Sequence, residues 1–103
     1  MIIYKVIIDI EKKIEHEWLS WIEKDHIPEI MALNIFNKSK IFNVLKSGKN
    51  YFSSYCIEYH CTSIEKYNEY KDKYSKGLQN KHLEKFKGKF TSKRLILSIK
   101  NEF

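Results

Sequence analysis

Apolar side chains alternate with a period of two over residues 2–10 (IIYKVIIDI). Ile2, Tyr4, Val6, Ile8 and Ile10 fall on one side of a strand, and Ile3, Lys5, Ile7 and Asp9 on the other. Apolar groups on both sides mark a central strand covered on both faces. From Ile14 the period changes to that of a helix. Ile14, Trp18, Trp21 and Ile22 share one face, and Glu15, Glu17, Glu23 and Lys24 share the opposite one. Two indoles bury roughly 150–250 Å² each, so this helix needs a broad apolar surface beneath it. Pro28 lacks an amide and disfavours the α region at Ile27, which predicts a helix end near Asp25-His26 and a hinge at Ile27-Pro28. Pro28 then suits the first turn of a short second helix, with His26 at the joint.

The remaining pattern supplies three strands and one long helix. Lys38–Leu45 reads as a polar strand near an edge, Ser47-Gly48-Lys49-Asn50 as a turn, and Tyr51–Cys61 as its antiparallel partner. On that third strand Tyr51, Ser53, Tyr55, Ile57, Tyr59 and Cys61 share a face, and Phe52, Ser54, Cys56, Glu58 and His60 share the other. Thr62 and Glu65 have the spacing of a capping box. Behind it Ile64, Tyr67, Tyr70, Tyr74, Leu78, His82 and Phe86 recur every three or four residues, with Gly77 expected to divide the helix and Gly88 to end it. The last strand, Phe90–Lys100, sets Leu95, Leu97 and Ile99 against Phe90, Ser92, Arg94, Ile96 and Ser98.

This order, β-α-β-β-α-β, and the right-handed crossover rule predict a ferredoxin-like α+β domain. Its four-stranded antiparallel sheet has the order 4-1-3-2, with both helices on one face. Ile3, Ile7, Phe52 and Ile96 are assigned to the other face, which is then too apolar to leave in water. A second copy of the chain, related by a two-fold axis, is the simplest cover.

Composition narrows the partners. One domain accommodates 103 residues, no apolar run nears the ~18 residues of a membrane span, and no basic segment precedes the first apolar stretch. These features predict a cytoplasmic protein with no membrane partner. Cys56 and Cys61 would point to opposite faces of one strand, which suits reduced structural thiols. The net charge of +6 suggests nucleic acid at first, but arginine occurs once among 19 basic residues and the lysines are spread along the chain. A solvated surface is the expected reading, with no nucleic-acid partner. No histidine pair has a recognised metal-ligand spacing, and no Gly-rich phosphate loop is present, so neither metal nor cofactor is expected.

Trp18-x-x-Trp21 followed by His26-Ile27-Pro28-Glu29, a Tyr-rich third strand and a His82-x3-Phe86-x-Gly88-Lys89 tail resemble the bacterial family DUF4286. The resemblance spans nearly the whole chain and implies the dimeric α/β-barrel superfamily, whose sheets pack face to face. That superfamily includes cofactor-free monooxygenases, isomerases, EthD-like proteins and haem-dependent relatives. The EthD-like members similarly carry a His-x-Pro after the first helix, here His26-Ile27-Pro28.

His26 is the candidate acid/base, since an imidazole moves protons near neutral pH; its alternative role is to cap a helix end at the hinge. Trp18, Trp21, Tyr55 and Tyr59, with Tyr67, Tyr70 and Tyr74 approaching from the second helix, are candidates to hold a small organic ligand; aromatic core is the favoured alternative reading. His82 is a further candidate to hold the ligand; its approach to His26 would depend on the tertiary fold, which the sequence does not show. Arg94 is placed with Lys5, Asp9, Glu58 and His60 on the helix-free face, either fixing dimer register or binding a substrate carboxylate. The resulting expectation is a small-molecule-binding dimer with a cofactor-independent oxidation or isomerisation as its reaction class. A non-catalytic dimerisation or regulatory module is the alternative.

Overall fold

The computed structural model describes residues 1–46 and 50–103. The turn expected at 47–50 therefore lies, but for Asn50, outside the described residues. Strand β1 (Ile2–Glu11) is central, paired antiparallel to β3 (Phe52–Cys61) on one side and β4 (Phe90–Ser98) on the other; β2 (Lys38–Asn43) pairs with β3 at the far edge. The order β2-β3-β1-β4 is the expected 4-1-3-2 written from the other end. Two helical arms cover one face. The first comprises α1 (Glu15–Trp21), a π turn (Ile22–His26) and α2 (Ile27–Met31); the second comprises α3 (Ile64–Tyr70), a π turn (Lys71–Ser75) and α4 (Lys76–Lys85).

The core lies between arms and sheet, where the alternation of β1 and β3 placed it. Tyr4, Val6, Ile8 and Ile10 meet Tyr55, Ile57, Tyr59 and Cys61, and Trp18, Ile22, Ile30, Tyr70, Leu78 and Phe86 close over them. Ile35 and Phe36 tuck in behind the first arm, once Asn34 has reversed the chain at φ 60°. Both thiols are free, with Cys61 buried in the core and Cys56 on the opposite face.

Four local expectations are corrected. The first arm does not break at Ile27-Pro28: Ile27 stays helical (φ −62°, ψ −46°), and its N–H reaches Ile22 O, five residues back. That wide turn moves the hydrogen-bond register on by one residue just before Pro28, which has no N–H to give. Gly77 does not divide the second arm; the π turn at Lys71–Ser75 does, and it swings Tyr74 towards solvent. The helix cap is Ser63 rather than Thr62, its Oγ accepting from Lys66 N at 3.3 Å. Gly88 ends the arm as expected, at φ 77°, with Lys89 N–H closing on Phe86 O at 3.0 Å.

The fourth correction matters most. Cross-strand pairs Tyr4–Ile96, Val6–Arg94 and Ile10–Phe90 put Arg94 and Ile96 on the helix-covered face, not the helix-free one. Leu95 and Leu97 take the open face instead, beside Lys5 and Ile3. Phe90 explains this parity: entering directly after the Gly88 turn, it stacks on His82 beneath α4 (3.9 Å between ring centroids, 13° between planes). Every second residue after it then faces the arms.

Candidate functional site

The two π turns flank a small cavity between arms and sheet. His26 is the last residue of the first π turn, and Tyr70 immediately precedes the second. The cavity is about 20 Å³, room for about one water molecule. Tyr4, Tyr59, Tyr70, His26, His82, Arg94 and Gln79 of α4 supply its polar groups, and branched aliphatic side chains from β1, β3 and α2 supply the rest.

Each histidine is held differently. His82 is 3% exposed, and its Nε2 accepts the buried Trp18 Nε1–H at 2.9 Å. An acceptor at Nε2 leaves the proton of the neutral ring on Nδ1. With Phe90 stacked on it, this imidazole is fixed in place. His26 lies flat against Trp21 (4.7 Å, 23°) and 5.7 Å from the His82 ring centre, with a buried Nδ1 that has no hydrogen-bond partner among the described residues. Burial lowers the His26 pKa to about 4; Glu29 opposes the shift, while Lys81 and Arg94 add to it. Burial likewise takes His82 down to about 3, helped by His26 and Arg94. Both rings are therefore neutral at pH 7.

Arg94 reaches the cavity from β4. Its Nε–H donates to Tyr4 Oη and its Nη1–H to Ser92 Oγ, both at 3.1 Å. Tyr4 is the hub of a ring cluster with Tyr59, Tyr67 and Tyr70 at 5.8, 5.5 and 5.6 Å. Burial raises the pKa of Tyr59 and of Tyr70, so both remain protonated donors. At the surface Lys81 of α4 pairs with Glu29 of α2 at 2.6 Å, joining the two arms near His26.

The structure thus brings together His26, His82, Arg94 and Tyr59, with Trp18 and Trp21 as the rings that support the two imidazoles and Tyr67 behind Tyr4. Tyr55 does not belong to this group. It packs tilted against Trp18 (5.1 Å, 44°) but sends its hydroxyl to the Glu15 carboxylate, away from the cavity. That hydrogen bond, with one from Ser53, lowers the Glu15 pKa, while burial and Glu15 push Tyr55 up to about 12. Tyr70, already a lining candidate from the sequence, does reach the wall. Sequence reasoning missed Tyr4 because it sits at a position that any apolar residue would fill; its signal was the excess of tyrosine over phenylalanine on core faces, since a buried hydroxyl needs a use. Among the described residues no three His, Cys, Asp or Glu side chains stand together as a metal site, and no helix is long and apolar enough to cross a membrane.

Sheet, arms and cavity define a ferredoxin-like α+β domain with a small pocket of mixed polar and apolar wall under its helices. The chain belongs to DUF4286, a domain of unknown function, whose model matches residues 1–100. No curated protein matches it in sequence. Its fold is similar to that of SnoaB, a cofactor-independent oxygenase from Streptomyces nogalater (TM-score 0.69, 12% identity, 98% of this chain and 95% of that one). It is also similar to a dimeric ferredoxin-like protein from an uncultured marine organism (0.68, 16%, 100% and 98%). An EthD-family protein from Bacillus halodurans gives 0.65 at 11% identity over 96% and 99%.

Proposed function

We propose that this protein binds a small organic molecule between sheet and arms, and that His26 moves a proton on it in a cofactor-independent isomerisation or oxidation. One observation carries the reading: a neutral imidazole lines a cavity of mixed polar and apolar wall, and its buried Nδ1 finds no hydrogen-bond partner among the described residues. In the empty cavity His26 is a weak base, because burial and nearby cations oppose its charging. Negative charge developing on a substrate beside it reverses that balance as the proton moves, and Arg94 steadies the anion. The carbanion or enolate left behind is either reprotonated at another atom or oxidised by dioxygen. Cofactor-independent oxygenation by SnoaB, on a similar fold, supports this reaction class. Tyr59, Tyr67, Trp18, Trp21 and His82 shape the pocket in this scheme, and Tyr55 acts through Trp18.

The working unit in this reading is a cytoplasmic homodimer. Ile3, Ile7, Phe42, Leu95 and Leu97 share the helix-free face, with Phe42, Leu95 and Leu97 at 42%, 37% and 37% exposure. A second sheet laid on that face would bury this row while the Lys5–Glu58–His60 cluster fixes register (3.5 and 3.0 Å). Dimeric ferredoxin-like neighbours support the arrangement.

A second reading, a dimerisation or regulatory module with no catalysis, draws on the cavity's size of about 20 Å³. A thermal-shift screen of metabolites against the wild type and His26→Ala separates the two. Compounds that raise the wild-type melting temperature but not that of His26→Ala support the ligand site. His26→Ala melting close to the wild type marks His26 as functional; a loss of several degrees marks it as structural. A screen whose every hit stabilises both proteins equally overturns the proposal.

A further inference from the structure

We propose that the ligand of this cavity is a small monocarboxylate with an apolar body, its carboxylate taken by Arg94 and the hydroxyls of Tyr59 and Tyr70. The inference rests on reading the cavity as a ligand site and adds the charge and shape of what enters it.

Arg94 is the only arginine of the chain. Both of its hydrogen bonds go to neutral oxygens, Tyr4 Oη and Ser92 Oγ, and it pairs with no acid among the described residues. Of its five N–H groups, three remain free, in the planar fork that matches a carboxylate. No Asp or Glu lines the cavity. Tyr59 and Tyr70 are each 2% exposed, and their hydroxyls have no hydrogen-bond partner among the described residues. Tyr4 Oη already accepts from Arg94, so its own proton is also available. The wall therefore presents donors with a cation and no matching acceptor charge. That is the complement of an oxyanion.

The rest of the wall argues against a bare inorganic anion. Val6, Ile8, Ile30 and Ile57 face the same space, and burying a strongly hydrated phosphate against them would cost its solvation. An apolar body attached to one carboxylate satisfies both kinds of wall. Arg94 and Ile96 (41% exposed) sit on the helix-covered face of edge strand β4 yet stay exposed, which makes that edge the way in. At about 20 Å³ the cavity must widen to admit such a ligand, and Arg94 and Gln79, the long side chains of its wall, are the ones able to turn while His82 stays held by Trp18.

The test is tryptophan-fluorescence titration of the full chain at pH 7 with benzoate, its neutral isostere benzamide, and inorganic phosphate. Trp21, stacked on His26, is the reporter. Benzoate is expected to bind at least about tenfold more tightly than either of the others, the discrimination a charge-assisted hydrogen bond provides. Arg94→Gln should erase that preference while leaving benzamide unchanged. Tyr70→Phe, which removes only a hydroxyl, should weaken benzoate alone by roughly threefold to tenfold. Benzamide binding as well as benzoate overturns the carboxylate assignment but leaves a ligand site. Phosphate binding most tightly overturns the apolar body. If none of the three binds but the metabolite screen yields hits that need His26, only this inference fails; silence in both experiments removes the ligand site itself.

Discussion

Lowering the pH from 7 to 5 charges both cavity imidazoles in the unfolded chain but neither in the folded one. His26 and His82 titrate at about 4 and about 3 in the structure, against 6.5 in the unfolded chain. As pH falls below 6.5 the unfolded state takes up protons first, so the contribution of these residues is fully present above that value and is lost towards pH 4 and 3. Over the two pH steps from 7 to 5, each ring withdraws about 2 kcal/mol, roughly 4 kcal/mol together. His26 keeps some solvent contact, so its share is a ceiling. The carboxylates Glu15 and Glu58 have lowered values and lose their contribution only as pH falls further, below the carboxylate range near 4.5. The interval from 7 to 5 therefore isolates the imidazoles. A loss of 4 kcal/mol is a large part of the 5–15 kcal/mol typical of a domain. Urea unfolding followed by circular dichroism at fixed protein concentration measures it directly, and His26→Gln should halve the loss. Stability that changes by less than about 1 kcal/mol between pH 7 and pH 5 would mean that the rings are not buried neutral bases, and the reasoning fails.

Two further perturbations test the surroundings. His82→Ala removes the acceptor of the buried Trp18 N–H and the ring stacked on Phe90, and should cost at least about 3 kcal/mol in the same unfolding assay; a cost below about 1 kcal/mol would show that the Trp18–His82 bond does not organise the core. Ile7→Lys places a charge in the middle of the helix-free face, on the central strand. Sedimentation at micromolar concentration should show the wild type at twice the chain mass and the variant at the chain mass, whereas a monomeric wild type contradicts the dimer.

Most of the fold was legible because β1 and β3 carry a clear period of two, with Tyr4, Val6, Ile8 and Ile10 on one buried face and Tyr55, Ile57 and Tyr59 opposite them. The sheet order followed from connectivity alone. What escaped was local. Pro28 signalled a break that the π turn at Ile22–His26 absorbs, because a one-residue change of register is invisible to a pattern read at 3.6 residues per turn. On β4 the run Leu95-Ile96-Leu97 is apolar on both faces, so alternation cannot choose its parity; the Gly88 turn chose it by seating Phe90 on His82. That parity separates an Arg94 lost among surface charges from an Arg94 beside His26 and His82. Candidate residues were therefore identified individually, while their convergence depended on a register that only the three-dimensional packing supplies.

The state of the two imidazoles is what the whole functional reading stands on. A long-range ¹H–¹⁵N spectrum of the histidine rings at pH 7, recorded before and after adding benzoate, reports it. The expected spectrum shows His26 and His82 both neutral, with the His82 proton on Nδ1 and the His26 resonances moving on addition while those of exposed His16 stay still. A charged ring in the free protein, or a proton on Nε2 of His82, would contradict it.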